Sequence, residues 1–95
     1  MDIIKVCGAL SSDKRLKILN ILSESDHTAV ELYKKFTSKF DSRAHRETIY
    51  RDLEQLHQSG LITKSYDNIK KRLYYHLQTD EISINLVTRK VTAIT

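Results

Sequence analysis

RETIYRDLEQLHQSGLI, residues 46–62, holds two structural periods back to back. Ile49, Leu53 and Leu56 fall within an arc of about 60° when residues are spaced at roughly 100° along a helix. Burying each of them stabilises the fold by roughly 1.5–3 kcal/mol, enough to fix which face of the helix points outward. Gly60 stands where a helix-ending glycine belongs, because it adopts the left-handed backbone without a side-chain clash. Beyond it the period drops to two. Ile62, Lys64 and Tyr66 alternate with Leu61, Thr63 and Ser65, and then Leu73, Tyr75 and Leu77 alternate with Arg72, Tyr74 and His76. Asp67-Asn68 between them tolerates a left-handed turn, so residues 61–77 are expected to form a β-hairpin.

The segments upstream read as further helices. Ser11 and Ser12 are good N-caps for DKRLKILNIL, and Asp13 suits the positive end of the helix dipole. Leu16, Leu19 and Leu22, joined by Ile18 and Ile21, give that helix a broad apolar stripe. After the polar break SESDH, Thr28 and Glu31 have the spacing of a capping box, and Ala29, Leu32, Tyr33 and Phe36 share one face. A polar connection, TSKFDSRAH, then leads to the helix expected over about residues 43–59. Ile3, Ile4, Val6 and Cys7 suit a helical turn or two at the start of the chain. The last segment is ambiguous: Ile82, Ile84 and Leu86 alternate as a strand, whereas Ile84, Val87, Val91 and Ile94 repeat as a helix. Thr79 and Asp80 are good caps, so the helix is the expectation.

The chain has 95 residues, a formal net charge of +4, no proline, two glycines and no low-complexity tract, which together describe one domain over 1–95. A basic balance suits a polyanion. Cys7 is the single cysteine, so neither an internal disulfide nor a CxxC zinc site is expected, and its apolar neighbours suggest buried packing. No run of residues resembles a signal peptide or a membrane span, so a cytoplasmic location is expected. His27, His45, His57 and His76 are scattered, and no glycine-rich phosphate loop or nucleophile elbow is present. No enzyme activity, metal, cofactor or small-molecule ligand is expected.

Three helices followed at once by a basic hairpin make the order of a winged helix-turn-helix: mainly α, a three-helix core plus wing, with terminal helices left for dimerisation. In that arrangement the third helix enters the major groove of double-stranded DNA and the wing touches flanking backbone. Opposite Ile49 lie Arg43, Glu47, Tyr50, Arg51, Glu54 and Gln58, flanked by Arg46 and Thr48. Arginine bonds guanine or clamps phosphate, and tyrosine packs on a thymine methyl or bonds a phosphate. The expected DNA-binding residues are therefore Arg43, Arg46, Glu47, Thr48, Tyr50 and Arg51 on the helix, with Lys64, Lys70, Lys71 and Arg72 on the wing. The plain alternatives are a solvated helix face with i, i+4 pairs and hairpin lysines that block edge association.

The stretch Thr48-Ile49-Tyr50-Arg51-x-Leu53-x-x-Leu56, closing on Gly60-Leu61-Ile62, resembles the recognition helix and wing of bacterial and archaeal winged-helix regulators. ALSSDKRLKILNIL is similar to the first core helix of the ArsR (arsenical-repressor-like) family. ELYKKF together with TIYRDLEQL is equally similar to the DNA-binding half of ferric-uptake regulators. YYHLQTDE resembles the end of a wing in ArsR- and MarR-like proteins, where a further helix follows. The likeness spans residues 9–80 and implies a homodimer on an inverted repeat, with Thr48, Tyr50 and Arg51 near DNA. The cysteine pair or terminal acidic and histidine ligands of metal-sensing ArsR members are missing. Nor does a chain of this length accommodate the metal-rich dimerisation domain of ferric-uptake regulators, so a metal response is not expected.

A sequence-specific transcriptional regulator is the resulting expectation, and a winged-helix protein-interaction module within a larger assembly is the alternative. For the dimer, Ile3, Ile4 and Val6 in segment 1–10 and Ile84, Val87, Val91 and Ile94 in segment 79–95 are the expected contact residues.

Overall fold

A computed structural model describes residues 1–94 of the chain. Four helices come first: α1 (Ile3–Leu10), α2 (Asp13–Glu24), α3 (Ala29–Lys39) and α4 (Arg46–Ser59). Two antiparallel hairpins follow, β1 (Ile62–Asp67) with β2 (Arg72–Leu77), and β3 (Ile82–Ile84) with β4 (Val91–Ala93). This is a winged helix-turn-helix: α2, α3 and α4 form the trihelical core, α1 is added to it, and β1–β2 is the wing.

The helix boundaries follow from side-chain capping. Asp2 accepts from the backbone N–H of Lys5 at α1, and Ser12 accepts from Arg15 at α2. Thr28 and Glu31 complete a reciprocal capping box at α3. The last turn of α4 ends on Gly60 at φ 89, a conformation that costs a side chain about 1 kcal/mol or more. The core is built from Ile18, Ile21 and Leu22 of α2, Leu32 and Phe36 of α3, and Ile49, Leu53 and Leu56 of α4. Leu61, Ile62 and Tyr75 of the wing base close it. Register pairs Ile62 with Leu77 and Lys64 with Tyr75, and His27 joins the sheet by a two-way backbone bridge to Tyr75.

Several sequence expectations are corrected. The segment from 79 is a hairpin rather than a helix, and Thr95 lies outside the described residues. Ile82, Ile84, Val87, Thr88, Val91 and Thr92 are β-branched and favour strand. Asn85 fixes the turn, its Oδ1 accepting from the N–H of Val87 and Thr88, and Arg89 takes a left-handed φ of 64. Helix α4 begins at Arg46, so Arg43 lies on the preceding connection. Asp41 holds that connection out of the helix by accepting from the Arg43 N–H. In the wing turn the left-handed residue is Lys71, at φ 54, while Asp67 Oδ1 accepts from Ile69 and Lys70. Cys7 is exposed, because α1 turns Val6 and Ala9 inward instead. Val6 and Val91 are buried in the chain's own core, and Ile3 and Ile84 pack against it. These four are thereby occupied within one copy, whereas Ile4, Val87 and Ile94 stay exposed.

Candidate nucleic-acid interface

The outward face of α4 exposes Arg46, Glu47, Arg51, Gln55 and Gln58. Burying Ile49, Leu53 and Leu56 forces this orientation, since a helix with one face in the core presents the other to solvent. Arg51 stands free of any ion pair among the described residues. Arg46 lies 5.3 Å from the centre of the Tyr33 ring, a cation–π contact that props its guanidinium at the start of the helix. Tyr33 in turn donates to the Ala44 carbonyl at 3.2 Å, tying α3 to the loop before α4. Arg43, on that loop, is almost wholly exposed and only 4.0 Å from Asp41.

Tyr50 and Thr48 are half-buried. Tyr50 packs its ring against the core, and the Thr48 hydroxyl donates to the His45 carbonyl at 2.8 Å. Both retain a partial exposure beside Arg46 and Arg51, with their backbone held by the helix.

The wing divides its cations between two jobs. Lys64 is clasped by Glu54 of α4, with Nζ at 2.9 Å from Oε1 and 2.7 Å from Oε2, and the Tyr75 hydroxyl donates to Oε2 at 3.0 Å. Lys64 and Glu54 therefore lock the wing to the helix, and in the free chain Lys64 is engaged by that pairing. Its hydrogen bond, followed by that of Tyr75, holds the Glu54 carboxyl below the ordinary 4.5. Burial, and then the Glu54 carboxylate, pushes the Tyr75 phenol up to about 12, so it remains a donor throughout the neutral range. At the wing tip, by contrast, Lys70 and Lys71 form no ion pair among the described residues and Lys70 rests 6.0 Å from the Tyr74 ring. Arg72 is 3.9 Å from Glu31 of α3, a loose, largely exposed pair.

A carboxyl held below its unfolded pKa contributes stability that is complete above 4.5 and is lost as pH falls through the lower folded value. Glu54→Gln is accordingly expected to lower stability by about 1 kcal/mol at neutral pH, given its partial exposure. The same substitution should flatten the stability profile on the acid side of pH 4.5, which chemical denaturation at a series of pH values measures. An unchanged acid limb would show that the clasp does not hold in solution.

One group escaped the sequence reading. Asp52 is buried on α4, with Oδ1 accepting from Arg15 Nη1 at 3.1 Å. Lys14 Nζ lies 3.1 Å from Oδ2, close enough for charge attraction although no hydrogen bond forms there. Arg15 also donates to the carbonyls of Ala9, at 2.7 Å, and Gly8, at 3.1 Å, capping the end of α1. One guanidinium thus joins α1, α2 and α4. The available signal was position: a charge only about 60° from Ile49, at the border of the apolar stripe, requires a partner.

Helix, wing and exposed cations define a winged-helix module of the nucleic-acid-binding type. The ferric uptake regulator family model matches residues 7–95, and the chain belongs to that family, whose members are transcriptional regulators. Among solved structures, the ferric uptake regulator of Vibrio cholerae is 26% identical over 88% of this chain and 67% of its own, with a TM-score of 0.61. A manganese uptake regulator is 26% identical over 88% of this chain and 64% of its own, with a TM-score of 0.60. The Pseudomonas aeruginosa ferric uptake regulator with manganese, at 18% identity and a TM-score of 0.63, shares the fold over 100% of this chain and 75% of its own. The chain spans about two thirds of the length of the first two. No curated protein matches it in sequence. The matches support the ferric-uptake likeness and not specifically the arsenical-repressor-like one.

The family name raises the question of a metal. Among the described residues no three of His, Cys, Asp and Glu converge on one point. His27 Nδ1 faces the Ser25 carbonyl at 2.7 Å and His76 Nδ1 faces Asp26 at 2.7 Å, each with its own local partner. The described residues do not fit a metal centre. Nor is any helix among them long and apolar enough to cross a membrane.

Proposed function

We propose that the chain is a sequence-specific, double-stranded DNA-binding transcriptional regulator that works as a pair of copies on a two-fold site. In this reading α4 lies in the major groove and the wing tip rests on flanking phosphates. The observation that carries it is the set of uncommitted cations: Arg46 and Arg51 on the open face of α4, with Lys70 and Lys71 at the wing tip, all exposed and without an ion pair among the described residues. A face used to grip another protein would carry exposed apolar residues. The exposed positions of α4 are Arg46, Glu47, Arg51, Gln55 and Gln58. Arg51 and the accessible edge of Tyr50 are the readers, Arg43 and Arg46 support them, and Lys70, Lys71 and Arg72 are anchors. Glu47 shapes the site by accepting from a base amine or orienting an arginine.

Selection of bound sites from random duplex DNA tests the proposal. A two-fold consensus with half-sites about one helical turn apart is the expected result, and recovery of unenriched sequence would reject base reading. Variants separate the two jobs. Arg51→Ala should cost about 1–3 kcal/mol of binding and relax preference at particular base pairs. Lys71→Ala should weaken all sequences alike and reduce the salt slope by about one. Identical selection profiles for the two variants would refute the division of labour.

A further inference from the structure

A cavity of about 400 Å³ opens between α2 and the link from the wing to the β3–β4 hairpin. That is the size of a site for a small organic molecule. One wall is a stripe of α2, Leu16, Leu19, Asn20 and Ser23, whose spacing puts them on one helix face. Leu16 is 48% exposed on this wall, while Ile18 and Ile21 of the same helix are fully buried in the core. The facing wall carries Leu77, at the end of the wing, and Ile82, at the start of β3. Backbone bonds hold the two walls apart. The Gln78 N–H donates to the Leu61 carbonyl at 3.0 Å, and the Ile94 N–H to the Glu81 carbonyl at 3.0 Å. The Thr79 hydroxyl is shared between the carbonyls of Glu81, at 2.8 Å, and Ile94, at 3.1 Å. A link tied on both sides in this way does not collapse onto α2, so the apolar floor stays open.

The polar groups decide what kind of molecule fits. The Ser23 hydroxyl donates to the Asn20 carbonyl at 2.6 Å, and the Asn20 side-chain oxygen accepts from Lys39 at 3.1 Å. Thr79 is committed to the link. The carboxylates of Asp80 and Glu81 remain, both exposed at the rim and without an ion pair among the described residues. An anion would be repelled there, and a neutral hydrocarbon would leave both acids unanswered. An occupant that covers the aliphatic floor and meets the rim carries a positive charge at one end.

We propose that this cavity is a binding site for a small amphipathic organic cation, its apolar body on Leu16, Leu19, Leu77 and Ile82 and its ammonium between Asp80 and Glu81. A cavity of about 150 Å³ already accommodates one benzene ring, so the volume suits a body of about two rings with room for the charged head. Leu77 ends β2, so the occupant rests against the base of the wing.

Titration of the full chain with 1-naphthylmethylammonium tests this, read by naphthalene fluorescence and by amide NMR shifts. The chain has no tryptophan to obscure the fluorescence. Saturation at about a millimolar or below is expected for a ligand of this size, with shifts concentrated at residues 16–23 and 77–82. Uncharged 1-naphthylmethanol should bind about tenfold more weakly, as the loss of a charge-assisted hydrogen bond predicts, and 1-naphthoate more weakly still. Asp80→Asn combined with Glu81→Gln should abolish the preference for the cation and leave the alcohol's affinity unchanged. Leu16→Lys should remove binding of both compounds with an unchanged helical circular dichroism signal, since Leu16 is half exposed and outside the buried core. No saturation at about 10 mM, equal affinity for the three compounds, or a cation preference that survives the double substitution overturns the proposal. Affinity that falls as the concentration of the chain rises would put another copy in the cavity, and overturns it too. The titration contains no DNA, so its failure leaves the DNA-binding proposal standing.

Discussion

Asp52→Ala is expected to lower the free energy of unfolding by about 3 kcal/mol, because removing one partner of a buried ion pair strands the other. The partner is Arg15, whose side chain is 14% exposed and whose remaining donors serve the last carbonyls of α1. Loss of the carboxylate also leaves the Lys14 ammonium without its nearby anion. In a domain of this size the change corresponds to a fall of roughly 12–24 °C in the midpoint of thermal unfolding. Arg15→Ala should do comparable damage, and the double variant less than the sum, since the two side chains share one interaction. The control is Asp13→Ala. Asp13 pairs with Lys17 at 2.9 Å but is largely exposed, so its loss should change stability by no more than about 0.5 kcal/mol. Thermal and urea denaturation of the four variants decide the matter. Equal effects for Asp52 and Asp13 would mean that the buried network contributes nothing beyond a surface pair.

Binding to duplex DNA is expected to weaken about a thousandfold between 50 and 200 mM salt. A protein that neutralises about six phosphates shows a slope near −5 in log K against log salt. Arg43, Arg46, Arg51, Lys70, Lys71 and Arg72 offer that number of exposed cations on the proposed DNA side. Lys64 is excluded from the count because Glu54 already neutralises it. Fluorescence anisotropy on a fixed duplex at several salt concentrations gives the slope directly. Affinity that is flat in salt, or absent at 50 mM, would remove the phosphate-anchoring half of the proposal. Releasing Lys64 by Glu54→Gln should steepen the slope by about one, a result opposite in sign to that of Lys71→Ala.

The order of elements was legible in the residues because local chemistry dictates each of them. Ser12 and the Thr28–Glu31 box start their helices, Gly60 ends α4, and the alternation of Ile62, Lys64 and Tyr66 opens the wing. The three apolar anchors of α4 also fixed which of its residues could face outward, because a helix has one period and one buried side. The end of the chain was not legible. Ile84, Val87, Val91 and Ile94 satisfy a helical repeat as well as a strand one, and the turn made by Asn85 and Arg89 decided between them.

Sequence by itself determined the winged-helix order, the capped helices, the amphipathic character of α4 and the net positive charge. Each depends on neighbours within a few residues, or on composition. Only the tertiary structure decided how the charges are spent. Glu54 meets Lys64 and Tyr75 because α4 and the wing pack together; Asp52 meets Arg15 because α2 crosses α4. Val6 and Val91 lie inside and Val87 outside because both termini fold back on the core. Charge pairing across 10 to 37 residues is a property of packing, and no local period encodes it.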